Sequence, residues 1–256
     1  VEVFVMASGS KGNMTYLKVG DIKVFLDAGI SFQKMKKKMQ EYNENIYDVN
    51  TLLITHEHGD HVFGLKMLMK QGAIENVYLT QGTYDSLPVD IVNLFVNTHI
   101  IKIDEPFYIQ DLKINPFMIS HDAKEPVGFV IENDVHKMVL LTDTGYLDQS
   151  YYDLLSDADL YILEANHNPF TLFQSARPFL LKKRIVSEKG HLSNEDAARL
   201  MNIFIKNKVS KWVVAHISED CNSVEDIEVA IVKEFDDPTK VIVYYASQDG
   251  LPVIKL

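Results

Sequence analysis

The segment Thr55-His56-Glu57-His58-Gly59-Asp60-His61 places three imidazoles and a carboxylate within six residues, directly after the apolar run Leu52-Leu53-Ile54. No other stretch restricts the fold as much. A short apolar run reads as a buried strand, so the polar cluster must lie at a strand end. His56 and His58, two residues apart, can chelate from one side of an extended turn. Asp60 and His61 can then face a second cation a few ångströms away, because imidazole and carboxylate both ligate divalent metals. With 9 His in 256 residues, three in such a window is not a chance expectation. One turn cannot complete two coordination shells, so the fold must bring further ligands to the same edge.

Four later segments can supply them, each at the end of an apolar run. They are Ile119-Ser120-His121-Asp122, Leu140-Leu141-Thr142-Asp143-Thr144-Gly145, Leu163-Glu164-Ala165-Asn166-His167, and Val213-Val214-Ala215-His216. Taken singly, each of these histidines could equally be a hydrogen-bonded core residue. Taken with the first motif, their order is informative. Asp143, a carboxylate able to bridge two cations, falls between two histidines.

The rest of the chain reads as a layered α/β protein. Strands are predicted over Val3–Ala7, Thr15–Val19, Ile22–Asp27, Thr51–Thr55, Val77–Thr80, Ile100–Ile103, Leu112–Ile119, Val127–Ile131, Met138–Thr142, Lys211–His216 and Val241–Tyr245. Val19-Gly20-Asp21-Ile22 suits a tight hairpin turn. Helices are predicted over Ser31–Tyr42, Val62–Gln71, Ser193–Asn207 and Ser223–Phe235. The last two start with capping boxes, Ser193 with Asp196 and Ser223 with Asp226. Two β-rich halves, each carrying helices, fit a four-layer αββα sandwich better than a doubly wound sheet. No linker or repeat divides the chain, so residues 1–256 read as a single domain. The lone cysteine, Cys221, excludes an internal disulfide, argues against a disulfide-linked partner and favours a reducing, cytoplasmic setting. No run of eighteen apolar residues suggests a membrane span, and Glu2 sits where a signal peptide carries positive charge. The net charge of −11 speaks against a passive polyanion binder.

The ligand order H-x-H-x-D-H, later His, Asp and final His resembles the metallo-β-lactamase superfamily. Here these positions are His56, His58, Asp60, His61, His121, Asp143 and His216, and Asp27 resembles its early structural aspartate. A narrower set of motifs is similar to the bacterial YycJ (WalJ) family. It comprises Ala7-Ser8-Gly9-Ser10-Lys11-Gly12-Asn13, Thr55–His61, Ser120-His121-Asp122-Ala123, Thr142–Tyr146, Glu164–His167 and Gly190–Ala197. The resemblance implies the metallo-β-lactamase fold and a metal-dependent hydrolase with DNA exonuclease activity. It implies two divalent ions, with zinc, manganese and iron all able to occupy such sites. His56, His58 and His121 hold one ion, Asp60, His61 and His216 the other, and Asp143 bridges. Asp60 also aims the attacking water. His191 is the expected general acid, oriented by Glu164, a pairing that resembles the Glu/His pair of the tRNA-maturation branch. His58 stands where flavodiiron-type proteins carry Glu, which argues for hydrolysis.

Only 72 residues separate Asp143 from His216, too few for an inserted clamp domain, so a DNA substrate must be held by the active-site face itself. Arg177, Lys182, Lys183, Arg184 and Lys189 are interleaved with Phe170, Phe173 and Phe179, as expected for contacts to phosphates and unpaired bases. Asn13, Tyr146 and His167 are further candidates for facing substrate. The run Lys34, Lys36, Lys37 and Lys38 reads as solvated surface. A total charge of −11 is compatible with a locally positive cleft once cations are bound. Two other readings stay open at this level: a phosphodiesterase for small substrates such as cyclic nucleotides, and a non-catalytic metal-bearing regulatory module.

Overall fold

The computed structural model describes residues 1–256. Two seven-stranded sheets lie face to face. The first contains β1 (Glu2–Ala7), β2 (Met14–Val19), β3 (Ile22–Leu26), β4 (Thr51–Leu53), β5 (Asn76–Thr80), β6 (Asn97–Ile101) and the C-terminal strand of the chain. The second runs from β7 (Phe107–Ile109) through β8 (Leu112–Met118), β9 (Val127–Glu132), β10 (Lys137–Leu141), β11 (Leu160–Glu164) and β12 (Ser210–Ala215) to β13 (Val241–Tyr245). The C-terminal strand, β14 (Ile254–Lys255), returns to pair with β1. The Gly20–Asp21 turn joins β2 and β3 with Val19 opposite Ile22, and Gly20 takes a φ of +57° that side chains tolerate poorly.

Alternation of side chains along each strand produces the layers. In β1, Val3 and Val5 point between the sheets, whereas Phe4 and Met6 point outward. In β10, Met138 and Leu140 point between the sheets, whereas Val139 and Leu141 point outward. The outward face of the first sheet is covered by α1 (Phe32–Glu41), α2 (Gly59–Val62), α3 (Leu65–Lys70), α4 (Gln81–Ser86) and α5 (Val89–Val92), with Met35, Met39, Leu65 and Leu68 buried against Phe25 and Leu52. α7 (Pro169–Gln174) and α8 (Phe179–Ile185) bury Leu172 and Ile185 in a small separate core, and on the second sheet lie α6 (Tyr152–Leu155), α9 (Asn194–Phe204) and α10 (Val224–Glu234). There Met201, Phe204, Ile227 and Ile231 pack on Trp212 and Tyr161. These strands are buried on both faces, which is why they read as continuous apolar runs rather than alternating ones. The result is the αββα sandwich expected from the sequence, with no domain inserted between Asp143 and His216. No helix is long and apolar enough to cross a membrane.

Both serines cap their helices, and their hydroxyls also donate to the Asp196 and Asp226 carboxylates at 2.7 and 2.8 Å. The Ser193 and Ser223 hydroxyls each accept the N–H three residues on at 3.1 Å, from Asp196 and Asp226. Six predicted strands overrun by one or two residues, ending at Leu26, Leu53, Ile101, Met118, Leu141 and Ala215 instead. In three of them the cause is visible, because Asp27, Asp143 and His216 have φ of +61°, +58° and +50° and leave the ladder there. β6 instead starts three residues earlier than expected. Its Asn97, Thr98 and Ile100 are exposed at the sheet edge, so the first residues carry no apolar signal.

Candidate metal centre

The strands β8, β10, β11 and β12 run in one direction, through β8–β9 and β9–β10 antiparallel pairs and parallel β10–β11–β12 pairing. Their carboxyl ends therefore share an edge, and His121, Asp143, Glu164 and His216 sit there. The turn after β4 faces them from the first sheet. His56 Nε2 and His121 Nε2 lie 3.1 and 3.2 Å from His58 Nδ1, so three ring nitrogens converge. Beside them Asp60, His61, Asp143 and His216 form a second cluster. His61 Nε2 is 3.1 Å from Asp143 Oδ2 and 3.6 Å from Asp60 Oδ2. His216 Nε2 is 3.3 Å from Asp143 Oδ1 and 3.5 Å from Asp60 Oδ2. The His56 and His61 rings are 4.1 Å apart, so the clusters adjoin. All seven sequence-predicted ligands are thus brought together, four from the first sheet and three from the second.

Surrounding groups aim these side chains. Asp27 Oδ2 accepts the Nδ1 proton of His61 at 2.7 Å, which leaves Nε2 as the atom pointed into the cluster. Asp27 Oδ1 accepts the Thr55 N–H at 2.8 Å, and the Thr55 hydroxyl lies 3.1 Å from His56 Nδ1. The His216 backbone N–H donates to the Ser8 hydroxyl at 2.8 Å, and Asn166 Nδ2 donates to the His216 carbonyl at the same distance. The turn bearing Asp60 is clasped by loops of the first sheet. Asn13 N–H donates to Asp60 O at 2.7 Å, Ala28 N–H to His61 O at 2.8 Å. This approach needs a glycine at position 29, where a Cβ would stand 1.7 Å from Asp60 O. Backbone in the left-handed region at Asp27, Asp143 and His216 costs about 1–3 kcal/mol each and is retained where geometry at a site demands it.

The charge balance also points to cations. Asp60 and Asp143 are both buried or nearly so. Burial opposes their ionisation, yet contacts with His216 and His61 hold both carboxyls below the usual range, Asp143 far below. Burial likewise opposes protonation of His216 and His61, but Asp143 and, respectively, Asp60 and Asp27 outweigh it. His216 is pushed up to about 9 and His61 well upward. In the other cluster burial dominates and lowers His56 strongly and His121 as well, which keeps them neutral, the form that ligates metals. The two carboxylates thus favour positive charge beside them. His121 Nδ1, Asp143 Oδ2 and His216 Nε2 are buried without a hydrogen-bond partner. Nitrogen and oxygen donors in two adjoining groups fit divalent cations.

Glu164 and His191 meet as expected. His191 Nδ1 is 2.9 Å from Glu164 Oε2, and Glu164 Oε1 accepts the N–H groups of Thr144 at 2.7 Å and Leu192 at 3.2 Å. The His191 ring stacks on His216, with centroids 4.9 Å apart and planes at 14°, so it borders the second cluster. His167 is buried beside this pair, its Nδ1 unpartnered, and burial lowers it to about 4. Tyr146 is exposed on a groove with Met118, Lys124, Lys189 and His121.

Several expected substrate contacts are placed otherwise. Asn13 is buried, its Oδ1 accepting the Gly9 N–H at 2.8 Å and its Nδ2 lying 3.1 Å from both Asp60 Oδ2 and His61 Nε2. It holds Asp60 and His61 in place rather than facing solvent. Arg177 is spent on Ser218 and Asp220, and Lys182 on the carbonyls of Phe173 and Ser175. Arg184 makes a two-pronged pair with Asp122, with Nη2 to Oδ1 at 2.9 Å. Lys183 is exposed and pairs with no acid. In the other basic run, Lys34 and Lys38 tie α1 to the carbonyls of Gln248 and Asp249. Asp122, Ser8 and Asn166 were present in recognisable motifs, but nothing in their spacing disclosed which groups they would hold.

The family model described as the beta-lactamase superfamily domain matches residues 23–217. The chain is 32% identical to the exodeoxyribonuclease YycJ of Bacillus anthracis, over 91% of this chain and 88% of that one. It is 34% identical to the exodeoxyribonuclease WalJ of Streptococcus pneumoniae, over 90% and 86% of the two chains. Its fold matches the crystal structure of the metallo-beta-lactamase fold protein YhfI from Bacillus subtilis, with a TM-score of 0.75, 16% identity and 99% coverage of both chains. The ligand geometry, the matched domain and the identity across nine-tenths of the sequence agree, and the chain belongs to the metallo-β-lactamase superfamily, within its YycJ/WalJ family.

Proposed function

We propose that this chain is a dinuclear, metal-dependent exodeoxyribonuclease acting as a single catalytic domain in the cytoplasm. The observation that carries the reading is the buried Glu164–His191 pair set against two adjoining ligand clusters. The names of its relatives supply DNA as the substrate. His56, His58 and His121 would hold one cation, and Asp60, His61 and His216 the other, with Asp143 shared. Zinc or manganese suits these donors, and iron is the third candidate. Bound there, such ions supply Lewis acidity toward a phosphate and an activated water.

The chain's own residues do the rest. Asp60 accepts a hydrogen bond from the attacking water and aims it at phosphorus. As the new P–O bond forms and the old one breaks, the departing sugar oxygen takes a proton from Nε2 of His191. Glu164 keeps the imidazole oriented by accepting at Nδ1, and its other oxygen is pinned by the Thr144 and Leu192 N–H groups. A general acid so placed contributes about 10²–10⁴-fold to rate. The test is incubation of metal-loaded protein with end-labelled DNA, beside RNA and cyclic nucleotides. Release of mononucleotides from a DNA end is expected. Turnover of cyclic nucleotides with DNA untouched would overturn the substrate assignment, and no turnover of any of them at two bound metals would favour a regulatory module.

A further inference from the structure

The stretch from Asn166 to Gly190 is wired to the metal centre at both ends. It starts two residues after Glu164. At its far end Ile185 O accepts the His191 N–H at 2.9 Å, and Arg184 grips Asp122, whose Oδ1 lies 3.5 Å from His121 Nε2. Between these anchors Phe170, Phe173 and Phe179 are 70%, 55% and 71% exposed, and Leu180 is more exposed still. Leu172 and Ile185, with Leu181 partly buried against them, reach no more than a small core completed by Cys221. The stretch carries five basic residues and one acid, Glu188, in a chain whose net charge is −11. Three of the five are spent on internal partners, while Lys183 and Lys189 are exposed and paired with no acid.

Rings left in water on the same stretch of chain as free ammonium groups match one class of occupant well. Bases stack on aromatic faces and phosphates draw lysines, whereas a protein interface excludes unpaired charge from its centre. We propose that α7 and α8 form a platform on which unpaired bases of the strand being cut stack against Phe170, Phe173 and Phe179, with Lys183 and Lys189 meeting its phosphates. The platform rests on the nuclease reading of the neighbouring site. It makes a strand end, separated from its complement, the species presented to the metal centre. A second copy of the chain is the competing occupant of this face.

The test is fluorescence anisotropy of a hydrolysis-resistant phosphorothioate thymidine 12-mer with the metal-loaded protein at low salt. Phe170→Ala combined with Phe179→Ala should weaken binding at least tenfold, and Phe170→Trp combined with Phe179→Trp should restore it. Melting curves confirm that the variants fold. Unchanged affinity in the alanine variant, or no binding by the wild-type chain, overturns the platform. Loss of a wild-type dimer on sedimentation, with affinity for the 12-mer unchanged, assigns the face to a second copy. Cleavage of unmodified DNA is followed in parallel. Phenylalanine-dependent binding without cleavage would defeat the nuclease reading alone, and normal cleavage with phenylalanine-independent binding would defeat the platform alone.

Discussion

Asp27→Asn isolates the contribution of one buried hydrogen bond to metal binding. The Asp27 carboxylate accepts on both oxygens, from Thr55 N–H at 2.8 Å and from His61 Nδ1 at 2.7 Å. Asparagine keeps the shape and tolerates the φ of +61°, but only one of its two terminal atoms accepts. If the introduced NH2 faces Thr55, two buried donors oppose each other at a cost of about 1–3 kcal/mol. If it faces His61, the ring must accept at Nδ1, and its proton moves to Nε2, the atom aimed at Asp60 and Asp143. That tautomer cannot ligate a cation through Nε2. Either arrangement penalises the second cluster, and outer partners of ligating histidines are typically worth 10–100-fold in affinity, about 1.4–2.7 kcal/mol. Competition titration with a chromophoric zinc chelator reads this directly. The expected result is two zinc ions bound by the wild-type chain and, in the variant, one site unchanged and one weakened 10–100-fold. Two sites within twofold of wild type, with His121→Ala still weakening one of them, would refute the reasoning.

His191→Ala should lower kcat by about 10²–10⁴-fold with two metals still bound, as measured by turnover alongside metal analysis. Glu164→Gln should follow it in direction, because it disturbs the acceptor for His191 Nδ1. The burial that lowers His167 to about 4 favours its neutral form in the folded chain. The unfolded chain takes up a proton near 6.5 and the folded one resists, so this stability contribution is present above 6.5 and is lost as pH falls toward 4. The loss is about 3 kcal/mol at 1.36 kcal/mol per pH unit. Denaturant melts between pH 7 and 4.5 should therefore show a shallower fall for His167→Phe than for the wild-type chain, and parallel curves would contradict the assignment. Gly29→Ala forces a Cβ to within 1.7 Å of Asp60 O. It should destabilise the fold by about 1–3 kcal/mol and reduce metal stoichiometry, read by calorimetry and metal analysis.

The residues that cluster were legible because histidine and aspartate recur at the ends of apolar runs, a pattern that survives without knowledge of the third dimension. The layers were legible for a related reason, since runs such as Val139–Leu141 must be covered on both faces. What escaped were long-range pairings between residues that carry no rare motif. Arg184 reads as a phosphate contact until Asp122, 62 residues earlier, is seen beside it. Asn13 reads as solvent-facing until the Gly9 N–H and the Asp60 carboxylate claim its amide. The short strands β7 and β14 and the helices α7 and α8 were missed because two to seven residues carry too little periodicity to separate from a loop. Exposure of Phe170, Phe173 and Phe179 was legible from the basic residues interleaved with them, although phenylalanine is the same letter inside or out.

The division of ligands between the sheets makes the centre a seam. His56, His58, Asp60 and His61 belong to one half of the sandwich and His121, Asp143 and His216 to the other. Neither half can present more than a fragment of a coordination shell. Tight divalent binding is therefore a reporter of docking between halves that are up to 160 residues apart along the chain. A chain with a single cysteine has no covalent staple for such distant segments, and cations shared across the seam would serve in its place. Chelation should consequently raise hydrogen exchange first at the facing loops and strand ends, where the halves meet, before it reaches the interiors of the sheets.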